Sequence, residues 1–268
     1  MDIKHIAPKH GLIGHRGLAG YAPENTIAAI QAAYEQGLNW VEFDVQLSKD
    51  HQLIIFHDHD LNRTTNGNGL VYDFTYSDIK ALDAGAWYGS QFSGAKIPNL
   101  EKDLSQLLKY KLHFNIELKC PNSPSKAYKD ALCDSFCSLI EKKWPKTRAL
   151  PLVSSFEWDL LLQVRNRLKN IAIGFLCDAI TPELTRLAVK TPNATINCNY
   201  HSLNDSDISR SQHLNIPLLV YTVNEQEIAN QLLNQGVFGI FTDSLIKSSP
   251  SIREAIQNHN FIINRLFI

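Results

Sequence analysis

The chain has 268 residues, 44% of them hydrophobic and 20% charged, an ordinary globular composition with enough apolar material for a substantial core. Lysine and arginine number 26 against 27 acidic residues, a net charge of −1, so no global field would recruit nucleic acid or an anionic membrane, and affinity for phosphate has to be local. Five cysteines, odd in number and without CxxC spacing, point to buried free thiols rather than a disulfide framework or a zinc knuckle.

At the N-terminus, "MDIKHIAPKHG" has no apolar run of the signal-peptide kind, and no later stretch reaches the roughly 18 apolar residues that span a bilayer. A cytoplasmic protein with no stable membrane insertion is therefore expected. The first strand, 12–14, runs into "HRG", which sets His15 and Arg16 at its C-terminal end. The surrounding glycines are expected to let a substrate approach the backbone. "PENT" then opens a helix over 26–36, closed by Gly37, with Pro23 in the preceding turn and Asn25 or Thr26 as its cap. Capping explains that motif without a functional role.

The second strand, 40–47, contains "VEFDVQL". Its period of two puts Glu42 and Asp44 on one face and Val41, Phe43 and Val45 on the other. In a barrel the acidic face points inward. Two carboxylates close together and away from bulk water repel each other unless one is protonated or a cation lies between them, and a hard divalent ion is the simplest resolution. "SKDHQ" reads as a hairpin tip centred between Asp50 and His51, which brings back a second extended run, 53–57, with position 57 opposite position 44. That register sets His57 beside Asp44. Residues 58–98, rich in Asn, Gly and aromatics, are too many for an ordinary βα loop and predict an inserted lobe over one barrel face.

After a helix at 100–109, the strand at 113–119, "HFNIELK", puts Asn115, Glu117 and Lys119 on a common face. Glu117 can complete a three-carboxylate oxygen site for one Mg2+ or Ca2+, and Lys119, nearer the strand's C-terminal end, is free to hold a phosphoryl oxygen. Further strands at 152–156, 172–177, 195–199, 217–223 and 237–242 alternate with helices at 126–143, 158–168, 182–190, 205–214, 225–235 and 251–257. Eight strands, each followed by a helix, predict an α/β fold, a closed (β/α)8 TIM barrel forming a single domain over residues 1–268. The terminal "FIINRLFI" is too short to span a bilayer and is expected to be a docked helix end. Two histidines, an arginine, a lysine and three carboxylates at strand ends suit in-line displacement at a phosphodiester.

The ordered series "HRG…YAPENT", "VEFDVQLSKD", "FHDHDLNRTTNG", "LDAGAWY", "IPNL", "NIELK", "SSFEWDLL", "YTVN" and "FTD" resembles the glycerophosphodiester phosphodiesterases, most of all the small cytoplasmic bacterial type, from Gly11 to Asp243. The resemblance implies hydrolysis of glycerophosphodiesters to glycerol 3-phosphate and an alcohol on a TIM barrel with an insertion after the second histidine. It implies Glu42, Asp44 and Glu117 as metal ligands, His15 and His57 as the acid/base pair, and Arg16 and Lys119 as phosphate-holding groups. Phe156 and Tyr221 would wall the glycerol pocket, with Trp87 of the inserted lobe a further candidate; many relatives carry Trp where this chain has Tyr221. The alternative on the same machinery is a lysophospholipase D or another phosphodiesterase acting on lipids. A catalytically silent barrel would be expected to have lost at least one of these charged positions, and all are present.

Overall fold

Strand and helix alternate along the chain because short β-branched or aliphatic runs alternate with capped, amphipathic segments. The computed structural model describes Pro8 and residues 11–245; the expected helix at 251–257 and the terminal octapeptide lie outside the described residues. In order, the elements are β1 (Leu12–Gly14), α1 (Ile27–Glu35), β2 (Trp40–Leu47), β3 (Leu53–Ile55), α2 (Tyr76–Ile79), α3 (Leu104–Lys109), β4 (His113–Leu118), α4 (Lys126–Lys143), β5 (Leu152–Ser155), α5 (Trp158–Arg167), β6 (Ala172–Cys177), α6 (Pro182–Lys190), β7 (Ala194–Asn199), α7 (Asp205–His213), β8 (Leu218–Tyr221), α8 (Gln226–Asn234) and β9 (Gly239–Thr242). Side-chain oxygens of Thr26, Ser125, Thr181 and Asn204 cap α1, α4, α6 and α7 by accepting from backbone N–H groups of the first turn.

All strands but β3 pair in parallel, and the sheet closes where β1 meets both β9 and β2, giving the expected eight-stranded barrel. β1 ends at Gly14, opposite Val41, so the upper part of that edge of β2 is left to β3, which lies antiparallel and outside the barrel. Outward-facing Val41, Phe43, Val45 and Ile116 pack under the helices in the main core, where Phe43 meets Phe114 edge-on with ring centroids 5.4 Å apart. Inward-facing Ile13, Trp40, Leu152, Ala172, Leu219 and Phe241 form an apolar floor inside the barrel. Above that floor the interior turns polar: Glu42, Asn115 and Ser154 are each no more than 3% exposed. The alternation along β2 and β4 is as the sequence predicts.

The β2–β3 hairpin differs from its predicted register by one residue. Val45 faces Ile55 and Leu47 faces Leu53, so Asp44 stands opposite Phe56, whose N–H donates to the Asp44 carbonyl, and not opposite His57. The loop is a three-residue one, Lys49 to His51, with Ser48 N–H donating to Gln52 and His51 at φ +56°. A turn followed by a left-handed residue is the favoured geometry for that length, and it centres the hairpin on a residue rather than between two.

The insertion forms a small lobe with its own core of Ile54, Phe56, Leu61, Val71, Ile79, Ala84 and Ile97. Thus Ile54 of β3 serves the lobe while Leu53 and Ile55 serve the main core. The lobe holds a short helix that the sequence reading missed, α2, opened by a Thr75–Asp78 capping box. Of the cysteines, four are buried and Cys120 is half-buried, and all are free. Among the described residues no helix is long and apolar enough to cross a membrane.

Candidate active site

The inward faces converge on a cavity of about 210 Å³ at the C-terminal ends of the strands, lined in part by His15, Arg16, Glu42, Asp44, His57 and Lys119. Asn115, Glu117, Phe156 and Tyr221 line it too, so every predicted site residue except Trp87 is present. Trp87 does not line the cavity; its indole N–H donates to the Ala84 carbonyl within the lobe. The lobe reaches the barrel mouth through Arg63 and the neighbouring Asp58, and no residue of 59–98 lines the cavity.

Parallel register fixes the acidic cluster. Glu42 pairs with Asn115 and Asp44 with Glu117 across β2 and β4, and one oxygen from each of Glu42, Asp44 and Glu117 lies within 4.8 Å of the others. Glu42 and Asp44 are 3% and 1% exposed. Burial, added to repulsion from Asp44 and Glu117, drives the Glu42 carboxyl well above its ordinary pKa. Burial would raise Asp44 as well, but Lys119, His57 and Arg16, helped by a hydrogen bond from Asn25, hold it below the usual range. Burial also raises Glu117, with Asp44 opposing and Lys119 favouring its ionised form. Lys119 Nζ stands 3.0 Å from Glu117 Oε1 and 3.9 Å from Asp44 Oδ1. Glu42 Oε1 is buried without a hydrogen-bond partner, while its Oε2 accepts from the Arg16 N–H at 2.8 Å. A buried, unpartnered carboxylate oxygen inside a three-carboxylate cluster fits a hard divalent cation, which takes oxygen ligands.

Each histidine is held through Nδ1 by a carboxylate, which leaves Nε2 for the cavity. His15 Nδ1 donates to Asp243 Oδ1 at 2.7 Å, and Asp243 Oδ2 in turn accepts from Asn224 Nδ2. His57 Nδ1 donates to Asp58 Oδ1 at 2.6 Å. Burial, reinforced by Lys119 and Arg16, outweighs Asp44 and Asp58 and keeps the His57 imidazole below its ordinary pKa. Although pairing stops at Ile55, His57 still reaches the cavity, because residues 56–57 are irregular and the two-residue alternation no longer dictates their faces.

Several supporting residues escaped the sequence reading. Thr26, not Asn25, caps α1. Asn25 is buried at φ +58°, donates from Nδ2 to Asp44 Oδ2 at 2.8 Å, and accepts from the Asp44 N–H. Glu24 accepts from Arg16 and from Arg63. Asp58 had a local signal in its adjacency to His57. Asp243 closes the "FTD" of the motif series, but nothing in the sequence pairs it with His15, which lies 228 residues away and meets it because Thr242 pairs with Gly14 when the barrel closes. The glycines of "GHRG" also serve a different end from substrate approach. A Cβ on Gly14 would stand 2.0 Å from the Gly17 carbonyl oxygen, and one on Gly17 would stand 2.5 Å from Ala29 Cβ, so both permit the loop to fold back tightly between β1 and α1.

The model of the glycerophosphoryl diester phosphodiesterase family matches residues 15–247. A glycerophosphodiester phosphodiesterase of Bacillus subtilis is 32% identical over 246 residues, covering 86% of this chain and 82% of that protein. Another, from Caldanaerobacter subterraneus subsp. tengcongensis, is 32% identical over 237 residues, covering 87% and 93%. The structure of an Oleispira antarctica phosphodiesterase in complex with the product sn-glycerol-3-phosphate superposes with a TM-score of 0.85 at 30% identity, covering 96% of this chain and 100% of that one. With the match running from the first site histidine past the last barrel strand, the chain belongs to the glycerophosphoryl diester phosphodiesterase family and is a phosphoric diester hydrolase.

Proposed function

We propose that this site hydrolyses glycerophosphodiesters, such as glycerophosphocholine or glycerophosphoethanolamine, to glycerol 3-phosphate and a free alcohol, with the help of one Mg2+ or Ca2+. The observation that carries the reading is the meeting of three buried carboxylates, within 4.8 Å of one another, with two imidazoles each held at Nδ1 by an aspartate. Glu42, Asp44 and Glu117 would hold the ion, which when bound supplies positive charge against the charge that builds on the phosphoryl oxygens. Arg16 and Lys119 bind and orient the phosphate. His15 and His57 divide the proton work: one takes a proton from the attacking water, or from the glycerol 2-hydroxyl when a cyclic phosphate forms first and water then opens it, while the other gives a proton to the departing alcohol. Asp243 and Asp58 keep each ring in the tautomer whose Nε2 can act, and stabilise the imidazolium that forms.

Phe156 and Tyr221, edge-to-face with centroids 6.3 Å apart, offer an apolar wall to the glycerol carbons. The Tyr221 hydroxyl donates to the Cys177 carbonyl at 2.9 Å and thereby fixes its ring. A cavity of about 210 Å³ suits a small, released diester better than a lipid with its chains. The glycerol 3-phosphate held by the Oleispira antarctica phosphodiesterase supports the product assignment.

A coupled glycerol 3-phosphate assay over several head groups and a lysophospholipid, with and without chelator, tests the reading. Turnover of glycerophosphocholine is expected to vanish in chelator and return with Mg2+ or Ca2+; full activity in excess chelator removes the ion from the reaction. Turnover of the lysophospholipid alone moves the assignment to a lysophospholipase D. His15→Ala and His57→Ala should each lower kcat by about two to four orders of magnitude.

A further inference from the structure

Three side chains of alternating charge, Asp58, Arg63 and Glu24, link the second imidazole to the arginine at the phosphate position. His57 Nδ1 donates to Asp58. Arg63 donates from Nε to Asp58 Oδ2 at 2.6 Å and from Nη2 to Asp58 Oδ1 at 2.9 Å. The same guanidinium donates from Nη1 and Nη2 to the two oxygens of Glu24, each at 2.7 Å. Glu24 Oε1 also accepts from Arg16 Nη1 at 2.7 Å. Arg63, the middle link, comes from the inserted lobe, whereas Arg16 and Glu24 come from the loop between β1 and α1, and His57 and Asp58 from the segment after β3.

Nearly half of the Arg63 side chain is exposed, at 46%, and it does not line the cavity. Its carboxylate partners are only 11% and 22% exposed and both grips are bidentate, so the network adds to stability, but stability alone does not call for a network that ends on His57 and Arg16. Its geometry does something more specific. A planar fork grips both oxygens of both carboxylates, which a lysine cannot do, and removes their freedom to rotate. Asp58 is thereby kept ionised, with its carboxyl near pKa 2, and presents one oxygen to His57 in one direction. Glu24, held in the same way, presents Oε1 to Arg16.

We propose that Arg63 is a positioning residue for this reaction: its two-sided grip on Asp58 and Glu24 sets the orientations of His57 and Arg16 together, so that proton transfer and phosphate binding share one support supplied by the lobe. The proposal rests on the roles given above to His57 and Arg16. Because displacing a reacting group by about 1 Å can lower a rate 100-fold, the consequence is measurable in kinetics without loss of the fold.

The test compares Arg63→Met, Asp58→Asn, Glu24→Gln and His57→Ala, with glycerophosphocholine as substrate in saturating Mg2+ or Ca2+. Arg63→Met is expected to lower kcat about 10- to 100-fold and to raise KM about 3- to 10-fold, with Tm within about 4 °C of the parent. Asp58→Asn should reproduce the kcat part and Glu24→Gln the KM part. In the His57→Ala background Arg63→Met should lower kcat no further while still raising KM. Arg63→Lys, which keeps the charge without the fork, should retain most of the loss, and it carries the test if Arg63→Met does not fold. Parental kcat and KM in Arg63→Met, alongside a crippled His57→Ala, would overturn the proposal and leave the catalytic reading standing. So would an equal kcat loss in both backgrounds, which would mark a merely structural effect. Parental turnover in His57→Ala would instead remove the reading on which the proposal depends.

Discussion

Asn25 shows how much one side chain can do without lining the cavity. Its left-handed backbone, at φ +58°, turns the amide toward β2, where it donates to the Asp44 carboxylate and accepts from the Asp44 N–H. Asparagine tolerates this conformation better than most residues, and its amide supplies both a donor and an acceptor. Asn25→Ala should destabilise the fold by about 1–3 kcal/mol through the abandoned polar groups, with about 1 kcal/mol more from the backbone, and weaken divalent-ion affinity about 10- to 100-fold. Asn25→Gly should show the same loss of affinity without the backbone part, as read by titration calorimetry alongside denaturant melts. Equal ion affinity in the parent and both variants would show that Asn25 does not position Asp44. At this scale the charged groups at strand ends were legible because carboxylates two apart in a β-branched run have few uses. Asn25 was not, because an asparagine before a helix already has a sufficient local explanation as a cap.

Between elements, the hairpin and the lobe decide what reaches the barrel mouth. The hairpin register depends on whether the tip holds an even or an odd number of residues, and "SKDHQ" is compatible with both until His51 adopts its positive φ. His57 survived the one-residue error only because it lies beyond the paired segment. The lobe has its own fastening: Asp83 accepts from the N–H groups of Gly85, Ala86 and Gly94 and from the Ser93 hydroxyl. Those bonds to the ionised form lower its carboxyl to about 2. A depressed carboxyl contributes stability above its unfolded pKa of about 4 and loses it as pH falls through the folded value. Hydrogen-exchange protection over residues 84–95, corrected for the intrinsic rate at each pH, should therefore fall between about pH 4 and pH 2, before the barrel strands lose theirs. Asp83→Ala should produce the same local loss of protection at neutral pH; unchanged protection there would show that Asp83 is not the fastening.

For the molecule as a whole, the acidic cluster is costly to hold, and stability should report on whether a divalent ion binds there. Glu42 has its pKa raised by burial and by two like charges, and a raised carboxyl contributes stability that is fully present below the unfolded pKa and lost as pH rises through the folded one. Without divalent ions the protein should lose stability as pH rises above about 4.5, and Mg2+ or Ca2+ should restore it. At an ion concentration 100 times Kd the gain is about 2.7 kcal/mol, roughly 5–10 °C in Tm for a domain of this size. Glu42→Gln removes one of the repelling charges, so in chelator it should melt at or above the parent while gaining little from added ion. A chelated variant that melts well below the parent would mean that the Glu42 carboxylate supports the fold by itself.

The barrel, its strand count and the inward faces of β2 and β4 were determined by the sequence alone, because a period of two and the spacing of capped helices are local properties that each segment carries by itself. The seven charged and imidazole groups that line the cavity were also named from the sequence, the three carboxylates by the alternation within β2 and β4 and the others by their place at or just beyond a predicted strand end. What only the tertiary structure decided is who holds them: Asp243 beside His15 through barrel closure, Asn25 against Asp44 across two elements, and Arg63 between Asp58 and Glu24. These partners meet through contacts between segments far apart in the chain, and no periodicity within any one of those segments encodes the meeting.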